Sequence, residues 1–245
     1  MLALFVLTNL VLPVWLPDWA PWVIGVAALV AVWFTIQAVV ARNRTKALTA
    51  VAPEIGFYFQ GEDWNGPQQA PDLTAALFQK GRDGEFRNIM TGSAAGYRAA
   101  LFDYSFTVGH GRGQRTYKQT VAAFSNKGAF LPQFALRTKG ILQKIGNAFV
   151  HKDINFDSHP EFSRCYQLRG PDERQIRSVF TPQLLSFLEQ VDRKKKWQLE
   201  GANDTLIVYR GGKRVKPADF RRCLEETSLI ATSFFSFCGA KSAVS

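Results

Sequence analysis

His151-Lys152-Asp153 and Asp157-Ser158-His159 flank Ile154-Asn155-Phe156, with Cys165 further on. Imidazole, carboxylate and thiolate are zinc ligands, and a His–Asp pair can move a proton in general acid–base chemistry. The spacing follows no standard metal motif. If 151–156 runs as a strand, His151 and Asp153 share a face that Asn155 continues, and His159-Pro160 falls in a turn. One reading is a metal-assisted hydrolase using His151, Asp153, Asp157 and His159. Turn formation and surface hydrogen bonding account for the same residues. No catalytic residue or metal ligand is therefore assigned, no cofactor is expected, and the balance is against an enzyme.

Gly109-His110-Gly111-Arg112-Gly113 has the glycines of a phosphate-cradling loop. Such loops lead from a strand into a helix, whose N-terminus meets the anion. The segment that follows here alternates like a strand, so a hairpin tip is the better description. His110, Arg112 and Arg115 at that tip remain able to touch an anionic headgroup or an acidic partner.

Charge is distributed one-sidedly. All 30 Lys and Arg, with 19 of the 20 acids, fall after residue 41, which leaves that region at +11. Two clusters stand out: Arg193-Lys194-Lys195-Lys196, and Lys213, Arg214 and Lys216. Beside a membrane, each basic residue contributes on the order of 1 kcal/mol of attraction to anionic lipid. The expected partners are the lipid bilayer, anionic lipid headgroups and an acidic protein. Contact with nucleic acid is the competing reading, but no RNP-like strand or recognition helix supports it.

Residues 1–41 hold one charged side chain, Asp18. Trp22 to Val40 is uncharged and long enough to span a bilayer, which takes roughly 20 apolar residues. Residues 2–16 form a shorter apolar run broken by Pro13. They read either as a second span, closing a hairpin through Pro17 to Pro21, or as an interfacial stretch. Trp15, Trp19 and Trp22 suit a membrane interface, and Arg42, Arg44 and Lys46 follow the long run, which places that end in the cytoplasm. A basic n-region and a small-residue cleavage site are both missing, so a cleaved leader is not expected. Cys165, Cys223 and Cys238 are odd in number and widely spaced, as free thiols in a reducing compartment are. The expected location is a bacterial inner membrane, single-pass or multi-pass, with the large domain cytoplasmic.

The polar chain then reads as α+β with a mostly antiparallel sheet and late packing helices. A juxtamembrane helix is expected over 42–54, a domain over 55–236 and a flexible tail over 237–245. Residues 60–72 read as a loop, 73–78 as a short helix and 81–84 as a turn. Tyr97 to Val108 alternates, with Phe102, Tyr104, Phe106 and Val108 on one side and Asp103, Ser105 and Thr107 on the other. That is the pattern of a half-buried strand. Asp103 is placed to pair with Lys118 on the next strand. Further strands are expected at 115–124, 131–137, 148–156 and 162–168, and a hairpin around 201–204. Pro171 and the Thr181-Pro182 pair open helices, with Leu184 and Leu188 on an apolar stripe. A last helix begins at Lys216-Pro217 and carries Phe220, Leu224, Ile230 and Phe234.

Four stretches resemble an uncharacterised bacterial family of membrane-anchored proteins. They are the 22–40 run with Arg42 to Lys46, AVAPEIGF at 50–57, the LFDYSF and GRGQRTYKQTV strands at 101–121, and FSRCYQLRGPDE at 162–173. The resemblance implies N-terminal helices and a cytoplasmic α+β domain. It implies no activity and no site residues.

Overall fold

The computed structural model describes residues 17, 19–61, 75–139, 152–191 and 196–239. The chain divides into two units, Met1–Lys46 and Ala47–Ser245.

Helix α1, Ala20–Glu54, is continuous over 35 residues, a length of about 52 Å at 1.5 Å per residue. Its apolar window has a mean hydropathy of 2.4, with none of it buried. By length and composition it can cross a membrane. Thr35 in this stretch turns inward on the helix: its Oγ1 donates to the Ala31 carbonyl at 2.8 Å, which satisfies a hydroxyl that lipid cannot. The last two turns carry Leu48 and Ala52, both buried in the domain core. The helix stops where Pro53 is followed by Gly56, whose φ of 76° suits a left-handed helix end.

The domain is α+β and built on one eight-stranded sheet. The strands are β1 (Phe57–Gly61), β2 (Arg82–Ala94), β3 (Tyr97–Val108), β4 (Arg115–Ser125), β5 (Leu131–Thr138), β6 (Tyr166–Arg169), β7 (Gln198–Asn203) and β8 (Thr205–Tyr209). Their spatial order is β1-β2-β3-β4-β8-β7-β5-β6, and every pairing is antiparallel. The helices are α2 (Pro160–Cys165), α3 (Glu173–Val179), α4 (Pro182–Gln190) and α5 (Phe220–Gly239). Asp172 and Thr181 cap α3 and α4, each side chain accepting a backbone N–H.

Both faces of the sheet are covered. On one, Leu101, Phe124, Leu136 and Val208 pack with Ile176, Leu184, Leu188 and Phe234 of the helices. The Phe134 ring stacks on Phe234 at 5.7 Å and meets Phe180 edge-on at 5.1 Å. Gly201 makes room for it, since a Cβ there would run into the Phe134 ring. On the other face, Phe102, Tyr104, Phe106, Val121 and Tyr209 lie beneath a strap of turns, residues 75–81, that contributes Ala75 and Leu77.

Several expectations change. β3 has the expected alternation, but its polar side is not open to water: Asp103 and Thr107 are also buried. Asp103 sits opposite Thr120, while Lys118 faces Ser105, so the expected Asp103–Lys118 pair does not form. Of the expected helix over 73–78, residues 75–78 are bend and turn. The expected turn at 81–84 largely belongs to β2, which absorbs it through two register shifts and positive φ at Asp83 and Asn88. Residues 152–156 are not a strand. The expected strand 162–168 is split, because Pro160 at the first turn and Glu161 beside it start α2 before β6 begins. The 60–72 loop from Glu62 onward and the start of the 148–156 segment lie outside the described residues.

Candidate functional site

Among the described residues, the acid–imidazole group does not come together. Asp153 is engaged by β6: its Oδ1 accepts from Arg169 Nε at 2.6 Å and from Gln167 Nε2 at 2.7 Å. His159 precedes α2 and uses both ring nitrogens on hydroxyls, Ser158 at 3.0 Å and Ser186 at 3.3 Å. Asp157 lies exposed in the turn between them. His151 lies outside the described residues. Among the described residues, no group of three or more His, Cys, Asp and Glu side chains is placed to hold a metal. At the 109–113 loop, a single 3-10 turn leads into β4 rather than into a helix. Arg82 donates there to His110 Nδ1 at 2.8 Å and to Gln114 at 3.1 Å.

A charged cluster that sequence reasoning missed lies under the strap. The Glu200 carboxylate, fully buried on β7, accepts from the Leu77 backbone at 2.6 Å and from Tyr209 Oη at 2.7 Å. Arg137 Nη2 lies 3.5 Å and Lys80 Nζ 3.6 Å from the same carboxylate. Burial brings the Lys80 ammonium down to about 8, against the opposing pull of Glu200 and with the help of Arg137. Burial first, and Glu200 second, push the Tyr209 phenol well above its ordinary value. These are stabilising contacts between a strap and a sheet.

The basic residues are placed differently. Gln198 pairs with Tyr209 at the end of the β7–β8 hairpin away from its turn. Lys196, just before β7, and Lys213, Arg214 and Lys216, just after β8, therefore emerge at the same end, and all four are exposed. Arg193, Lys194 and Lys195 lie outside the described residues. The 212–215 segment is fixed to β4 where β8 no longer pairs with it. Gly212 N–H donates to Gln119 Oε1 at 3.0 Å, Thr120 N–H to the Lys213 carbonyl at 3.1 Å, and Val215 N–H to Thr120 Oγ1 at 3.0 Å. Thr120 in turn donates to buried Asp103 at 2.9 Å, and Asn88 donates to the other Asp103 oxygen at 3.0 Å. A buried carboxylate thus anchors the backbone that carries the three cations. Arg221, at the start of α5, donates to the Glu54 carbonyl at 2.7 Å.

Of the residues expected at a membrane interface, Trp22, Arg42, Arg44 and Lys46 lie on α1 and Trp19 immediately precedes it. Trp15 lies outside the described residues. Nothing in the local sequence marks Glu200 or the Asp103–Thr120–Val215 chain. Their partners come from distant segments, and a single buried acid in a strand was the one available sign.

No protein-family model matches the chain, and no curated protein matches it. Among solved structures it is similar to the mycobacterial trehalose monomycolate transport factor A. That likeness has 13% sequence identity and a TM-score of 0.48, and covers 78% of this chain and 96% of the other.

Proposed function

We propose that this chain is a membrane-tethered interaction module whose basic surface meets anionic lipid or an acidic protein partner. In this reading the apolar part of α1 spans a bacterial inner membrane and residues 42–245 lie in the cytoplasm. The observation that carries it is the exposed set Lys196, Lys213, Arg214 and Lys216, gathered at one end of the β7–β8 hairpin, the last three on or beside the 212–215 segment that is stitched to β4. Fixed cations lose less side-chain and loop entropy on meeting a charged surface than cations on a loose tail do. Anionic lipid is the favoured partner, because a tethered domain meets it at high local concentration.

The test is cosedimentation of residues 43–245 with vesicles. This fragment keeps Leu48 and Ala52, which pack in the domain core. Binding is expected only with anionic lipid, and it should weaken as salt rises. Changing Lys213, Arg214 and Lys216 together to Gln should weaken it by about 3 kcal/mol, from roughly 1 kcal/mol for each lost cation. Equal binding to neutral vesicles, or none at low salt, would remove lipid from the reading and turn the search to a protein partner by crosslinking in membranes. Reporter fusions after residue 61 test the orientation: alkaline phosphatase activity without cytoplasmic reporter fluorescence would overturn it.

A further inference from the structure

An open cleft of about 210 Å³ lies where the end of β8 meets the start of α5, and Trp197, Arg210, Asp219, Arg222, Cys223 and Glu226 line it. Arg222 Nε donates to Glu226 at 2.9 Å, so those two charges answer each other. Arg210 is arranged otherwise. Its guanidinium lies over the Trp197 ring, 5.0 Å from the centroid. Its Nε is buried, and among the described residues no acceptor meets it. A buried N–H without an acceptor is uncommon and costly. Asp219, exposed just before α5, is the other charge of the lining for which no side-chain partner is seen among the described residues. The Cys223 thiol lines the same cleft. Burial pushes it up to about 11, Arg210 draws it down, and Glu226 and Asp219 raise it.

With Arg222 and Glu226 paired, the cleft retains one cation and one anion. We propose that it binds a small zwitterion, whose oxyanion docks on Arg210 and whose ammonium docks on Asp219. The Arg210 fork, which lies over the Trp197 ring, matches a phosphate or carboxylate in a bidentate manner. The volume is below the ~300–1,000 Å³ of pockets for drug-sized ligands, so the ligand is the size of a lipid headgroup or an amino acid. An aminoalkyl phosphate, free or as a phosphatidylethanolamine headgroup, and a short amino acid share this chemistry. The site goes beyond the basic-surface reading, since it needs neither a membrane nor Lys213, Arg214 and Lys216.

The test is calorimetric titration of the full chain, in an uncharged detergent and phosphate-free buffer, with phosphoethanolamine and with β-alanine. Inorganic phosphate and ethanolamine serve as half-ligands. At least one zwitterion is expected to bind about tenfold or more tightly than either half-ligand, as befits two charge contacts in place of one. Arg210→Gln and Asp219→Asn should each reduce that affinity by about tenfold, while the Lys213, Arg214 and Lys216 to Gln triple variant keeps it. Asp219 is exposed, so its variant carries the test should Arg210→Gln fail to fold. Failure of both zwitterions to bind would overturn the proposal. So would phosphate binding as tightly as the zwitterion, or affinity that survives Asp219→Asn. Phosphatidylcholine discs with and without phosphatidylethanolamine then identify the source. A weaker apparent affinity for free phosphoethanolamine when the lipid is present assigns a headgroup, and an unchanged affinity assigns a soluble ligand. Because no membrane enters the first titration, this outcome is separable from the vesicle result.

Discussion

The Leu77 backbone N–H donates to Glu200 Oε2 at 2.6 Å, joining positions 123 residues apart in the chain. The bond holds the 75–81 strap against the aromatic face of the sheet. It also joins a buried group in which Lys80 and Arg137 share one carboxylate.

Glu200→Ala should be among the most damaging single changes in the domain. It strands two buried cations and the Leu77 N–H together. Removing one partner of a buried ion pair costs about 3–5 kcal/mol. Chemical unfolding of residues 43–245 measures it. A loss under about 1 kcal/mol would mean that the strap is held by its apolar residues alone.

The pH dependence of stability should be shaped by three buried groups. Lys80 titrates at about 8 in the folded chain and 10.5 ordinarily. Between those values the unfolded chain holds a proton that the folded chain has released, so stability rises by up to about 1.4 kcal/mol per pH unit. Cys223 acts in the opposite sense: its thiol titrates at about 11 when folded and 9.0 ordinarily, so from pH 9 its folded form is the one retaining the proton and stability falls. Tyr209, raised well above 10.0, adds to the fall from pH 10. Denaturation midpoints should therefore climb from pH 8 to 9, level off to 10 and decline beyond. Lys80→Met should abolish the climb, and a climb that persists in that variant would assign it to another group.

Asp103→Ala should loosen the basic segment from a distance. The change leaves the Asn88 and Thr120 donors without their acceptor, a cost of about 1–3 kcal/mol. Thr120 also receives the Val215 N–H, so amide exchange at Val215 should accelerate more than at Val208 within β8. Equal acceleration at both amides would reduce the effect to global destabilisation.

The hairpins and capped helices were legible in the sequence because their signals are local. The Phe102-Tyr104-Phe106 alternation gives β3, and Thr181-Pro182 gives the start of α4. The meaning of the polar side of β3 was not legible. Asp103 in a strand reads as facing water, and only the arrival of Asn88 and the 212–215 segment makes it an internal anchor. The site tells a similar story. The lysines and arginines could be counted from the sequence, but their convergence depends on hairpin register. The Arg210–Trp197 stacking depends on how the chain turns after Tyr209. The acid–imidazole group was conspicuous in sequence, but two of its described members face elsewhere: Asp153 turns to Arg169 and His159 to Ser186.

The strand order also has a consequence for biosynthesis. β4 lies between β3 and β8, and Val121 of β4 sits opposite Tyr209 of β8. At roughly 5–20 residues translated per second, the intervening stretch of chain takes about 4–18 s to appear. Throughout that interval the β2–β4 meander is available with one edge unpaired and Phe102, Tyr104 and Phe106 lacking their final neighbours. Such a species is prone to associate with other chains. A nascent chain already attached to a bilayer would be confined near other emerging copies during this wait. The cellular yield of the protein should then depend on the speed of the ribosome between β4 and β8, and on chaperones that shield aromatic strands, more than on the final stability of the domain.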